Sequence, residues 1–211
     1  MKTYPLVSVG MPAYNRTETL VVAIECIINQ TYKNLEIIIS DNASASNEIE
    51  DIVKGYMKND KRILYTKQKR NLGAERNFQY IINKASGKYF LMAADDDIRS
   101  LDFIEKNIVF LENNADYVAS TSPSRFEHRN FDEHAMGDGS IECFDKYDRV
   151  NAFLNRWHAN ARFYSLVRRE EMQRAYTVNN FLGGDWMVVL SLLMLGKYKR
   201  IESGEVILGN G

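Results

Sequence analysis

The chain has 211 residues, 45% hydrophobic and 26% charged: enough material for one substantial core, with a make-up that excludes disordered and fibrous classes. Lys and Arg number 27 against 28 Asp and Glu, so no excess positive field draws in a polyanion and nucleic acid is not expected as a partner. Cys26 and Cys143 lack the spacing of a zinc site or a disulfide framework and fit a reduced, cytoplasmic protein. Residues 6–11 (LVSVGM) read as a buried strand that stops at Pro12, which cannot donate to a sheet ladder. The run is too short for a signal-peptide core. Leu20, Ala23, Ile24, Ile27 and Ile28 then recur at helical spacing behind Thr17, a plausible N-cap. Residues 35–40 (LEIIIS) form a second expected strand, and Ile49, Ile52, Val53 and Tyr56 mark a second helix. Strand 63–67, helix 74–85 and strand 89–93 continue the alternation. An α/β fold follows, with a mostly parallel central sheet flanked by helices and right-handed crossovers.

Ser100 is the expected cap of a helix carrying Phe103, Ile104, Ile108 and Leu111, and residues 117–121 are strand-like. Residues 122–140 turn polar and irregular and read as a long functional loop. Beyond it, 149–154 looks helical, 161–167 strand-like, and Asp185 opens an apolar helix through Leu195. Its run 186–195 is about half the roughly 20 residues that cross a bilayer, so a buried helix is expected, with peripheral membrane association left open. The whole is expected to be one domain, 1–211: a nucleotide-binding half, 1–121, and an acceptor-side half, 122–211.

In a mostly parallel open sheet, ligands bind at the carboxyl ends of the strands. The first strand ends at Pro12-Ala13-Tyr14-Asn15-Arg16, the second at Asp41-Asn42 and the fourth at Asp95-Asp96-Asp97, which puts three polar clusters on one edge. Three adjacent carboxylates repel unless solvated, paired or bound to a cation, and together with Asp41 they suit magnesium or manganese bridging a diphosphate. Neither a P-loop nor a G-x-G-x-x-G follows the first strand, so phosphate contacts would fall to metal-held acids and to Arg16 and Arg76, each of which also reads as a solvated surface charge.

The ordered motifs PLVSVGMPAYNRTETL, NQTYKNLEIIISDNAS and NLGAERNFQYIINKASGKYFLMAADDD resemble glycosyltransferase family 2, whose members have the GT-A fold. The resemblance is close over residues 5–110 and looser through Gly183-Gly184-Asp185-Trp186 to about residue 201. It implies an inverting transferase that moves a sugar from a nucleotide-sugar donor, UDP- or dTDP-linked, to a glycan or lipid-linked acceptor in cell-surface polysaccharide or glycolipid synthesis. By position, it implies that Pro12, Ala13 and Tyr14 lie against the nucleotide base, Asp41 meets the base edge, and Arg76 flanks the nucleotide. Asp95 would sit near the ribose, Asp96 would ligate a divalent cation (Mn2+ or Mg2+), and Asp97 would be a further ligand or an acid behind one. Ala94 departs from the pattern, since many members carry an acid there. Asp185 resembles the catalytic base, and an Asp at a helix start is also an ordinary N-cap. A sugar-phosphate nucleotidylyltransferase would need a glycine-rich basic loop that residues 12–16 lack, and a non-catalytic glycan- or nucleotide-sugar-binding module would hydrolyse no donor. Relatives continue past the base with further helices, so the chain is expected to be part of a longer protein. His128, His134 and His158 are read as packed or solvated before they are read as ligands.

Overall fold

In the computed structural model, which describes residues 5–127, 136–155, 158–177 and 183–209, the first half follows the expected alternation. β1 (Val7–Ala13), α1 (Glu18–Ile28), β2 (Leu35–Asp41), α2 (Glu48–Met57), β3 (Ile63–Lys67), α3 (Ala74–Lys84) and β4 (Tyr89–Met92) succeed one another. β5 (Ile98–Arg99), α4 (Phe103–Asn113), β6 (Tyr117–Thr121), β7 (Ser124–Phe126), α5 (Lys146–Leu154), β8 (Leu166–Arg168), α6 (Arg169–Ala175), α7 (Gly184–Leu195), β9 (Lys197–Arg200) and β10 (Val206–Leu208) complete the order. A seven-stranded sheet runs β3-β2-β1-β4-β8-β6-β9, and a small sheet runs β5-β10-β7. In the large sheet β8 alone is antiparallel to its neighbours β4 and β6; the other pairings are parallel.

Both faces of the sheet are covered, which is why its strands read as unbroken apolar runs. Val7, Val9 and Met11 of β1 pack with Leu20, Ile24 and Ile27 of α1 and with Phe103 and Ile104 of α4 on one face. Phe90 and Met92 of β4 pack with Ile81 of α3, Met172 of α6 and Val188 and Leu192 of α7 on the other. On that second face β1 must be thin: a Cβ on Gly10 would overlap the Ile81 side chain. α7 is apolar on every side: Val188, Val189, Leu192 and Leu193 are buried, while Met187, Met194 and Leu195 are exposed.

Several boundaries differ from the sequence reading. β1 runs through Pro12 to Ala13, with Pro12 opposite Ser40. The Gly10 carbonyl accepts from the Ala93 N–H at 2.8 Å, so Gly10 and, two residues on, Pro12 turn their backbone edges toward β4. Pairing with β4 ends at Gly10–Met92, so the missing N–H of Pro12 costs no ladder bond. Residues 161–164 form a 3-10 turn instead of strand, because Asn160 enters it in the left-handed conformation (φ 59, ψ 44), which breaks an extended run at its head. The extended part is only Leu166–Arg168. Segment 122–140 holds β7, parallel to β10. Asp102, not Ser100, occupies the N-cap position of α4, while the Ser100 hydroxyl accepts from the Glu205 N–H. His128 and His134 lie outside the described residues. Cys26 and Cys143 are free thiols. Among the described residues no helix is long and apolar enough to cross a membrane.

Candidate active site

The carboxyl ends of β1 and β4 and the start of α3 enclose a cleft of about 440 Å3. From the β1 side Pro12, Ala13, Tyr14 and Arg16 line it, and from the β4 side Ala94, Asp95 and Asp96. Gly73, Ala74, Asn77 and Phe78 of the α3 start, with Asn42, Asn71 and Tyr164, complete the wall. Tyr14 leaves its ring 45% exposed at the rim, available for stacking on a flat ring.

Local hydrogen bonds explain the shape. After β1, Asn15 takes a left-handed conformation (φ 55), which Asn tolerates better than most residues. Its N–H donates to Ser44 Oγ and its Oδ1 accepts from the Ala45 N–H, both at 2.9 Å. This turn carries Arg16 across the cleft to the end of β4. On the far wall Asn42 Oδ1 accepts from the Leu72 N–H and Asn42 Nδ2 donates to Asn71 Oδ1, which fastens the end of β2 to the approach of α3. Gly73 then starts the helix at φ 81, and the positive end of the helix faces the cleft.

The aspartate triplet divides by surroundings. Arg16 donates to Asp95 Oδ1 at 2.5 Å and to Asp96 Oδ2 at 3.1 Å, spanning both carboxylates with a guanidinium that is itself 45% exposed. Burial raises the Asp95 carboxyl to about 6, with Arg16 opposing and Asp96 adding to the rise. Asp97 turns away from the cleft. Its carboxylate is buried against the Arg99 guanidinium at 3.2 Å and accepts from the Gly209 N–H at 3.4 Å. Behind Asp96 lies the backbone of Gly209, where a Cβ would overlap the carboxylate.

Asp185, on the first turn of α7, lines an adjoining pocket of about 240 Å3 with Glu75, Phe78, Phe163, Tyr176 and Val188. The two pockets share Phe78, and Tyr164 lines the first of them. Burial first, then the carboxylates of Asp97, Asp185 and Asp96, pushes the Tyr164 phenol upward. Asp185 and the acid pair therefore open on neighbouring compartments of one face.

Two expected positions fall elsewhere. Asp41 is fully buried and does not line the cleft; its carboxylate accepts from the Ser44 N–H at 2.8 Å and from Tyr65 Oη at 3.0 Å, which braces the turn that carries Asn42. Arg76 is exposed on α3 and is not among the lining residues. Asn42, from the expected Asp41-Asn42 cluster, does line the cleft, while Asn71, Asn77, Phe78, Glu75 and Tyr164 line the two pockets and were not singled out from sequence. For all but Tyr164 a signal existed, since they lie within or beside the SDNAS and NLGAERNF stretches.

The sequence matches glycosyl transferase family 2 over residues 8–175. The chain belongs to glycosyltransferase family 2. This family-2 chain is 41% identical over 113 residues to an uncharacterized glycosyltransferase of Methanocaldococcus jannaschii, covering 53% of the chain and 39% of the relative. It is 39% identical over 125 residues to one of Haemophilus influenzae, covering 58% and 38%. Glycosyltransferase GlyA of Streptococcus pneumoniae is 35% identical over 154 residues, 71% of the chain and 21% of the relative. The matches to the first two relatives thus span about two fifths of their length. Among solved structures, S. aureus TarS in complex with UDP-GlcNAc superposes at a TM-score of 0.75 with 11% identity, over 97% of this chain and 58% of that one. The mannosyltransferase PcManGT of Pyrobaculum calidifontis, with GDP-Man and Mn2+, gives 0.69 with 14% identity, over 98% and 57%. The fold is therefore GT-A, with its large, mostly parallel sheet between helical layers.

Proposed function

We propose that this chain is the catalytic part of an inverting glycosyltransferase that moves a sugar from a nucleoside diphosphate, UDP- or dTDP-linked, to a hydroxyl of a glycan or lipid-linked acceptor. The observation that carries the reading is the acid pair Asp95–Asp96 at the end of β4, facing one pocket, with Asp185 in a second pocket across the shared Phe78. TarS bound to UDP-GlcNAc and PcManGT bound to GDP-Man support a nucleotide-sugar donor. Cell-surface polysaccharide or glycolipid synthesis in the cytoplasm, at the inner face of the membrane, is the setting that this chemistry suits.

The nucleotide would lie across Tyr14 and the β1 exit, its ribose toward Asp95 and its diphosphate near the start of α3. A divalent cation fits beside Asp96. The two carboxylates are hard oxygen donors, and they already share one positive group, the Arg16 guanidinium. Among the described residues no three acid, His or Cys side chains gather into a ready-made site, so diphosphate oxygens and water would complete the shell. Asp97, committed to Arg99, is not assigned a ligand role. When bound, the ion supplies Lewis-acid stabilisation of the charge that gathers on the departing diphosphate. Arg16 is placed to share that charge once it releases the acids.

The acceptor hydroxyl is a poor nucleophile until its proton leaves. Asp185 takes that proton as the oxygen bonds to the anomeric carbon and the bond to the diphosphate breaks, a single displacement that inverts the centre. A positioned carboxylate typically supplies about 10²- to 10⁴-fold in such a step. Asp185→Asn should lose turnover by that factor while nucleotide affinity, read by calorimetry with UDP and Mn2+, stays within about two-fold. Undiminished turnover in the variant sinks the assignment. A module that only binds its ligand would release no nucleoside diphosphate from any donor in the parent protein.

A further inference from the structure

Asp185 follows a helix start at Gly183 in the left-handed region (φ 93), a beginning that does not by itself fix where the carboxylate points. A neighbour does. Asn160, 1% exposed, donates from Nδ2 to Asp185 Oδ2 at 2.9 Å. The amide's orientation is settled by chemistry, because a carboxylate only accepts and must therefore face the NH2 group.

Asn160 is itself held in an unusual conformation, left-handed at φ 59 and ψ 44, at the head of the 3-10 turn Ala161–Tyr164. Non-glycine residues adopt this region infrequently, and such residues gather at functional sites. Its backbone N–H donates to His158 Nδ1 at 3.1 Å, so the imidazole proton resides on Nε2. Burial and then the charge of Arg162 lower the tendency of His158 to take a second proton, which keeps Nδ1 available as an acceptor. The His158 ring stacks on Trp186, the residue after Asp185, with centroids 4.5 Å apart and planes at 9°. Phe153 meets both rings edge-on, and the backbone of Gly137 lies so close to the imidazole that a Cβ there would overlap it. The chain His158–Asn160–Asp185–Trp186 therefore closes on itself within one aromatic cluster.

We propose that Asn160 is a positioning residue for the reaction: it holds Oδ2 of Asp185 and leaves Oδ1 to take the acceptor's proton. The inference rests on the reading of Asp185 as the base. It also gives the left-handed backbone a purpose, since this conformation presents both the N–H to His158 and the side-chain amide to α7.

The informative variant is Asn160→Gly, which keeps the left-handed backbone and the N–H to His158 and deletes only the amide. Release of nucleoside diphosphate from UDP-GlcNAc and from GDP-mannose with Mn2+ serves as the assay, water taking the place of the acceptor, with Asp185→Asn in parallel. The expected result is a turnover lower by about ten- to a hundred-fold in Asn160→Gly, as a misdirected group costs, with donor KM within about two-fold. A purely structural role would lower the melting temperature without this split, turnover and donor KM changing together or not at all. If Asp185→Asn is dead while Asn160→Gly matches the parent in turnover and donor KM, the inference is overturned and the base assignment stands. If Asp185→Asn turns over like the parent, both fall together.

Discussion

The cleft at the strand ends and the pocket that holds Asp185 are built by different means. The strand-end cleft sits on the ends of β1 and β4, whose register is set along their length by burial on both faces; Asp95 and Asp96 stand where they do because β4 ends there. The Asp185 pocket hangs on single residues in special conformations, Gly183 and Asn160 at positive φ and Gly137 against His158, and on one ring cluster under α5 and α7. A site at strand ends inherits its geometry from many weak contacts. A site hung on a few turns can be disturbed at one of them, and it can also be altered without disturbing the other half.

Four substitutions on the two sides test that division. The largest expected effect is Phe153→Ala, which empties the ring cluster and should cost about 3–5 kcal/mol in unfolding free energy, while the folded variant keeps its affinity for UDP with Mn2+; a matching fall in that affinity would break the separation. Next is Asp95→Asn. The folded protein holds this carboxyl at about 6 against an ordinary value of 3.8, so the native state binds a proton that the unfolded chain has released. The group's contribution to stability thus falls as pH rises through that interval and is fully lost above it. The amide variant should therefore gain on the order of 2 kcal/mol at pH 8 and nothing near pH 4; equal differences in melting temperature at the two pH values would count against it. Asp96→Ala should weaken Mn2+-dependent nucleotide binding about ten-fold, as the loss of one charged ligand contact does, and identical isotherms with and without the metal would remove Asp96 from the site. The smallest effect is Arg16→Ala. Freed of an ion pair whose arginine is half-exposed, the acids should bind Mn2+ without nucleotide about two- to five-fold more tightly, a gain that calorimetry reads directly.

The same division explains what the sequence could tell. Apolar, β-branched runs such as EIIIS alternating with helical spacing marked β1 to β4, and the end-of-strand rule then located Pro12, Tyr14, Arg16, Asp95 and Asp96 beside the cleft. Asp41 was assigned to the same edge correctly as to strand, yet its carboxylate turns inward to Ser44 and Tyr65, since a strand end fixes the height of a residue but not the direction of its side chain. The second half offered less. β9 is KYKR, a charged edge strand with no apolar pattern, and β7 and β10 are three residues each, recognisable only through a partner about 80 positions away. Nothing in the local sequence marked Asn160 as left-handed, because its conformation is fixed by His158 and Asp185, both supplied by tertiary packing.

Gly209 donates to Asp97 across 112 residues of chain, and its backbone also backs Asp96. On the ribosome, where the N-terminal part emerges first, β1 to β4 can pair before β10 exists, so the acid triplet would spend that interval without its rear wall. Nascent chains halted before β10 should therefore hold a formed parallel sheet but bind nucleotide poorly.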